Sequence, residues 1–456
     1  MKTTYILLLV FTIGFQSCSD FVDVERPDSQ LTGITVFADR TSANAAMAEV
    51  YAKLRNGGLL SGSIDGASYK LGLYADELDY YGLPATNDES FYLNSLLASN
   101  GFISQSWNSC YSQVYGANAI LEGVEGSTTL SVDDKNQFRG EALFVRALVH
   151  FYLMNIYGDI PYIVTTNYEV NRVSPRLDSD IVNERLISDL TESASLLSES
   201  YVSAEKVRPN QSTVYALLAR VYLYNKMWAE AANAASAVLN NPEYVWEEDL
   251  SKTFLKECTS TIWQFAPHYS GGNTDEGDTF IFYAGPPTRV ALSSNLMASF
   301  SPEDKRKMNW TNKITEGVET WYHAYKYKQN YEASGSSEYS IIFRLAEQYL
   351  IRSEARAQQG ELIGAREDLN KVRNTAGLIN VDAATASEII NAIIEERRLE
   401  FFTEYGHRFF DLKRTDQLNN VLGASKIGWN DYDALWPLPL IEMMANPNLS
   451  PQNPGY

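Results

Sequence analysis

Cysteine is scarce in this chain, three in 456 residues. Once Cys18 near the start is set aside, Cys110 and Cys258 supply neither a disulfide framework nor a zinc spacing, and each reads as a small apolar residue of the interior. Basic charge is short as well: 37 Lys and Arg face 57 Asp and Glu, for a net charge of −20. A field of that sign repels nucleic acid phosphates and anionic lipid surfaces, so neutral or cationic ligands are expected. Long apolar runs are missing beyond the first residues, which excludes a polytopic membrane protein, and 45% hydrophobic with 21% charged residues is a globular balance. Histidine numbers only four.

The one apolar run, "MKTTYILLLVFTIGFQSC", has Lys2 as a positive n-region and Tyr5 to Phe15 as an apolar h-region. It is too short to span a bilayer. It ends in Gln16-Ser17-Cys18, a small residue directly before cysteine, and so resembles a bacterial lipobox in which Cys18 carries lipid as the first residue of the mature protein. Phe15 and Gln16 depart from the usual pattern, and the alternative is a cleaved secretory signal with an incidental cysteine. Removing residues 1–17 takes away Lys2 and leaves 36 minus 57, or −21. Residues 18–36, acidic and broken by Pro27 and Gly33, suit a tether.

What the chain does have is helical periodicity and tyrosine, 29 copies beside 19 Phe and 8 Trp. A single domain over 37–456 is expected, mainly all-α, built as a tetratricopeptide-like helical repeat superhelix with loop-rich, short-strand insertions. Helix pairs are predicted near 105–160, 180–240, 341–376 and 385–412. The stretch "STVYALLARVYLYNKMWAEAANAASAVL" carries the repeat spacing, with small Ala219 and Ala231 allowing close helix approach. A second repeat sets Ser353 and Ala365 twelve apart, although Arg352 and Arg356 occupy positions where Leu and Tyr are usual. Residues 56–104 read as loops with short helices, and 250–340 as a variable insert of short strands and aromatic loops. Trp107, Trp228 and Trp436 fall at helical or packing positions.

The densest chemistry is "EERRLEFFTEYGHRFFDLKR", residues 395–414. Thr385 and Glu388 form a capping box that starts a helix expected to run to Gly406. On it Glu396, Glu400 and Glu404 would stack at i, i+4 and i+8. Paired carboxylates at that spacing meet the distance a glycosidase needs. Against catalysis stand Arg397, Arg398 and Arg408 within reach along the helix, the phenylalanines beside them, and the absence of a barrel pattern. The structural reading is an ion-paired helix including Glu396, Arg397, Glu400, Glu404, Arg408 and Asp411, with His407 a hydrogen-bonded structural residue rather than a general base.

This stretch, with "LWPLPLIEMMANPNLSPQNPGY" at the C-terminus, resembles the SusD/RagB family of outer-membrane lipoproteins. Further matches, in the family's order, are "GEALFVRALVHFYLMNIYGDIPY", "RPNQSTVYALLARVYLYN", "RLAEQYLIRSEARAQQGELIGAREDLNKVRNTAGL" and the lipobox. The resemblance implies a cell-surface, non-catalytic, nutrient-binding lipoprotein of four tetratricopeptide-like helix pairs. Such a protein sits over a SusC-like TonB-dependent outer-membrane transporter and passes it oligosaccharides or, in some members, peptides. A surface glycoside hydrolase and a protein-binding tetratricopeptide scaffold are the readings from other classes.

Family binding residues lie in divergent loops, so candidates follow from chemistry. Sugars offer apolar C–H faces and polar rims, which suits flat exposed aromatics beside amides, carboxylates or arginine. One group is Asp79, Tyr80, Tyr81, Asn87, Asp88 and Tyr92. The other is His268, Tyr269, Tyr283 and Arg289, with Trp310 and Trp321 further on. "GGNTDEGD", residues 271–278, holds calcium-type donors without a defined calcium spacing. A solvated turn is expected there, and no cofactor or metal elsewhere.

Overall fold

The computed structural model describes residues 36–330 and 335–456. The signal and tether, with Cys18, lie outside the described residues apart from residue 36. Among the described residues twelve helices of eight or more residues carry the fold: α1 Arg40–Asn56, α2 Ala67–Tyr74, α3 Gly101–Gly126, α4 Val132–Tyr157, α5 Ser179–Leu196, α6 Gln211–Tyr224, α7 Trp228–Leu239, α8 Leu345–Gln358, α9 Leu362–Thr375, α10 Ala386–Glu400, α11 His407–Arg414 and α12 Leu418–Ser425. From α3 to α9 each packs on its successor, giving a tetratricopeptide-like stack of helix hairpins.

Local chemistry explains the ends. Asp39, Asn100, Ser131, Asp178 and Asn210 each accept backbone N–H bonds at an N-terminus. The Thr385–Glu388 capping box forms with both of its bonds. α4 stops at Gly158, whose φ of 75° suits a residue without Cβ. Inside the stack, Ala219 and Ala231 are fully buried, and Ser353 Oγ donates to the Ala365 carbonyl at 2.6 Å. Arg352 and Arg356, odd for a repeat, both pair with Asp368 at 2.7 Å. An ion pair there substitutes for the usual apolar contact. α4 is buried nearly all round from Phe138 to Tyr157 rather than on one face. It is the central helix of a core that continues from Phe37 to Leu449. A smaller apolar cluster lies under α8 to α10. Among the described residues no helix is long and apolar enough to cross a membrane.

Among the described residues three two-stranded antiparallel sheets interrupt the helices. β1 Leu78–Tyr80 pairs with β3 Val290–Leu292, β2 Thr261–Phe265 with β6 Ser340–Arg344, and β4 Thr311–Glu316 with β5 Glu319–Ala324. β2 and β6 are buried along their length. The β1–β3 pair is set in register by Leu78↔Leu292, Asp79↔Ala291 and Tyr80↔Val290, and Tyr81 N–H extends it to the Arg289 carbonyl at 2.8 Å.

α10 ends at Glu400, short of the expected Gly406, so Glu404 does not stand on that helix. The chain turns through Thr403 at φ 55° and Tyr405 at φ 45° before Gly406 at φ 78°. Lys326 Nζ donates at 2.8 Å to the carbonyls of both Glu400 and Phe402, supplying from another segment the partners that further helix would have given. At Gly406 a Cβ would sit 2.2 Å from Leu71 of α2, so only glycine fits.

Candidate functional site

The acidic stretch that looks most like chemistry is sealed. Arg306, reaching in from residues 305–310, contacts Glu396 at 2.6 Å, Glu400 at 2.9 Å and Asp304 at 2.8 Å. Arg344, at the end of β6, pairs with Glu400 and with Glu404 at 2.9 Å, and Lys326 also meets Glu404. Arg373 closes the other side of Glu396 at 3.0 Å. The three glutamates therefore find their cations from other segments, not from Arg397, Arg398 and Arg408 as their spacing suggested. Those three turn elsewhere: Arg397 to Asp411 at 2.7 Å, Arg398 and Arg408 to Asp76 at 2.9 and 2.8 Å. Burial pushes the Glu400 carboxyl up, but Arg344 and Arg306 outweigh it and hold it below the usual range. Burial holds His407 well below its ordinary value, and its Nδ1 faces Arg397 at 3.1 Å. No member of this cluster is available to a substrate.

Trp310, a ligand candidate from sequence, is 1% exposed. Its indole N–H donates to the Leu250 carbonyl at 2.9 Å, its ring meets Phe254 edge-on at 5.4 Å, and Lys326 lies 5.2 Å from its centre. It is a core wall of the ionic cluster and leaves the candidate set. Asp88 likewise turns inward, to the buried Lys70 and the Tyr69 hydroxyl, and acts as a counter-ion. Trp228 packs on the core and Trp436 is fully buried, as expected.

The remaining candidates divide. β1–β3 pairing carries Arg289 beside Tyr81, and Trp321 of β5 stands against the same edge. Tyr81 is 39% exposed. Burial and the nearby Asp79 raise its hydroxyl pKa, while a hydrogen bond with Trp321 opposes them. Tyr92 is raised by burial, Asp79 and Tyr81 in that order, which joins it to the group. Its ring lies 6.2 Å from Tyr80 and 4.1 Å under the Lys426 ammonium. Burial brings Lys426 down to about 8, with Asp79 and Asp76 acting against the fall. Tyr80 is anchored, its hydroxyl bonded to Leu83 and Thr86 at 2.8 and 2.7 Å.

Trp321 is only 9% exposed, and its six-membered ring lies so close to Gly285 that a Cβ there would come within 2.2 Å of it. Arg289 is exposed, and among the described residues no acceptor or carboxylate is paired with its side chain. The Asn87 amide is exposed and equally uncommitted among them. This face holds flat rings, one carboxylate and one guanidinium, the equipment for hydroxyl-rich ligands.

Tyr283, on the Gly285 loop, is exposed with its hydroxyl on Asn330. His268 and the exposed Tyr269 follow β2, and His268 Nε2 lies 3.5 Å from Asp275. The acids of 271–278 spread apart: Asp275 faces His268, whereas Glu276 is buried against Ser340 and Tyr405, where burial raises it to about 7. Among the described residues no group of three or more acidic, histidine or cysteine side chains is placed to hold a metal ion.

Two family models match the chain: "Starch-binding associating with outer membrane" over residues 21–223 and "SusD family" over 263–456. The chain is 27% identical to SusD-like protein P2 of Formosa agariphila, across 100% of this chain and 99% of that one. Among solved structures it is similar to a SusD superfamily protein from Bacteroides vulgatus, with TM-score 0.78, 21% identity and coverage of 92% and 100%. A laminarin-binding SusD-like protein superimposes with TM-score 0.76 at 21% identity, covering 91% and 99%. The surface glycan-binding protein A from Bacteroides uniformis does so with TM-score 0.75 at 20% identity, again over 91% and 99%.

Proposed function

The chain belongs to the SusD/RagB family, and from that premise we propose that it is a non-catalytic lipoprotein of the outer membrane. In this reading it captures an oligosaccharide or polysaccharide and hands it to a SusC-like TonB-dependent transporter. Lipid on Cys18 holds it at the surface, residues 18–36 form the tether, and the rest of the chain is one binding domain. The observation that carries the binding reading is the shelf where Tyr81, Tyr92, Asp79, Arg289 and Trp321 meet, with Arg289 exposed and free of any ion pair among the described residues. The names of the laminarin- and glycan-binding structural neighbours agree with a sugar ligand.

Hydrolysis of a glycoside calls for two solvent-reachable carboxylates across a cleft. Glu396, Glu400 and Glu404 are buried and ion-paired, so they support binding without bond cleavage. The test is a glycan panel in affinity gels and calorimetry, with reducing ends measured in parallel. We expect retention by at least one glycan, no new reducing ends, and affinity lowered roughly 10- to 100-fold in Tyr81→Ala, equivalent to about 1.4 to 2.8 kcal/mol. Turnover that disappears in Glu396→Gln would overturn the non-catalytic reading. Replacing Cys18 with Ala is expected to release the protein from membranes.

A further inference from the structure

Trp107, Tyr111 and Tyr115 follow one another at four-residue steps along α3. That spacing lines them up along one side of the helix, advancing about 6 Å per step. The rings of Trp107 and Tyr111 are 4.8 Å apart, and Trp107 is held edge-on against Tyr157 at 5.1 Å. Tyr111 is fixed by its hydroxyl, which donates to the Pro161 carbonyl at 2.8 Å. At the outer end Tyr115 is 53% exposed, and facing the stripe across the opening Tyr168 is 72% exposed. These residues and the segment 442–449 enclose a groove of about 470 Å³. Sites for small ligands are of that size, roughly 300 to 1,000 Å³.

The polar groups of the groove decide what it suits. The exposed Asn108 amide and the Glu442 carboxylate border it, and among the described residues neither has a hydrogen-bond or ion-pair partner. Arg172, the one cation on its wall, is neutralised by Glu169 at 2.6 Å. An anionic ligand would meet Glu442 with no free positive charge to offset it. A wholly apolar ligand would strip water from Asn108 and Glu442 and return no hydrogen bonds. A neutral, hydroxyl-rich ring satisfies both conditions, with C–H faces on tyrosine and hydroxyls on the amide and carboxylate.

We propose that this groove is a second carbohydrate site, for a short neutral oligosaccharide, sharing no residue with the shelf formed by β1, β3 and β5. Tyr115 and Tyr168 stack on the sugar, Asn108 and Glu442 hydrogen-bond it, and Trp107 and Tyr111 form the fixed floor. Two sites on one chain would hold a polysaccharide at two points and raise its retention without new contacts at either.

The proposal rests on the reading that the protein binds glycan, and the experiment separates the two. Neutral oligosaccharides are titrated by calorimetry and followed by saturation-transfer NMR on the full protein, on Tyr115→Ala/Tyr168→Ala and on Tyr81→Ala/Arg289→Ala. Glu442→Gln, which keeps shape and removes only charge, is a second probe of the groove, and melting temperature is recorded for each variant. The expected result is two sugars per wild-type chain and one per chain in either double variant, with polysaccharide affinity at least 10-fold weaker in the groove variants. One sugar per wild-type chain, unaffected by Tyr115→Ala/Tyr168→Ala and by Glu442→Gln, overturns the groove and leaves the shelf standing. Binding lost with the groove and untouched by Tyr81→Ala/Arg289→Ala supports the groove and overturns the shelf. No glycan bound by the wild type overturns both.

Discussion

The C-terminal cluster around Glu396–Asp411 and the shelf around Tyr81 are opposite uses of polar side chains. The cluster is dense in charge, yet each glutamate in it is matched at hydrogen-bond distance by a cation from another segment. The shelf has few charges, yet Arg289 is exposed and, apart from its electrostatic effect on Tyr69, has no hydrogen-bond or ion-pair partner for its side chain among the described residues. Uncommitted groups, rather than numerous ones, identify a binding face, because a buried charge already paired has no free energy left to gain from a ligand. Residues 76–81 are the seam between the two. Asp76 joins the cluster through Arg398 and Arg408, its carbonyl and that of Glu77 hold Ser293, and Asp79 to Tyr81 open onto the shelf.

The largest effect is expected where the cluster is broken. Arg344→Met leaves Glu400 and Glu404 short of a cation, and urea denaturation should show a loss of about 3–5 kcal/mol. Sugar affinity per folded molecule should stay unchanged. A loss under 1 kcal/mol would mean that the cluster does not hold the fold, and the contrast with the shelf would collapse.

At the seam, Glu77 supplies a pH test. It is buried, its Oε1 has no hydrogen-bond partner, and burial raises its pKa from the usual carboxylate range to about 8, with Asp76 adding to the rise. The folded state therefore keeps a proton that the unfolded chain releases near 4.5. The stability this proton provides is full below pH 4.5 and is lost as pH climbs through 8. At about 1.4 kcal/mol per pKa unit, unfolding free energy should fall by a few kcal/mol over that window. Glu77→Gln should flatten the slope, and an unaltered slope would assign the pH dependence to other groups. Smallest of all is Tyr283→Ala on the exposed loop, expected to change stability by less than about 0.5 kcal/mol. A larger loss by thermal melting would show that the loops around the shelf are part of the frame.

Helix ends and repeat packing were legible because their causes are local. The Thr385–Glu388 box and the small residues at 219, 231, 353 and 365 each act within a turn or one hairpin. The continuation of α10 to Gly406 was misread because Lys326, distant in sequence, takes the carbonyls of Glu400 and Phe402. Trp310 reads from sequence like any surface-loop tryptophan, and only the ring of Phe254 beside it and Lys326 shows it to be core. For the groove, the four-residue aromatic spacing of Trp107, Tyr111 and Tyr115 was a usable signal. Trp107 alone reads as packing, and it does pack, but only the fold shows Tyr115 exposed at the outer end of the same line.

By itself the sequence determined the family and the helical repeats, and it nominated aromatic and polar loop residues as candidate ligand contacts. Periodicity, caps and motif order are properties of neighbouring residues. Tertiary structure alone decided which side chains stand together. Asp79 meets the backbone of Ser294 across 215 positions, and Arg344 meets Glu404 across 60. Strand pairing and ion pairing depend on distance in space, and the same residue types would satisfy many pairings of equal chemical merit. The fold selects one of them, and with it which groups are spent on holding the protein together and which remain for a ligand.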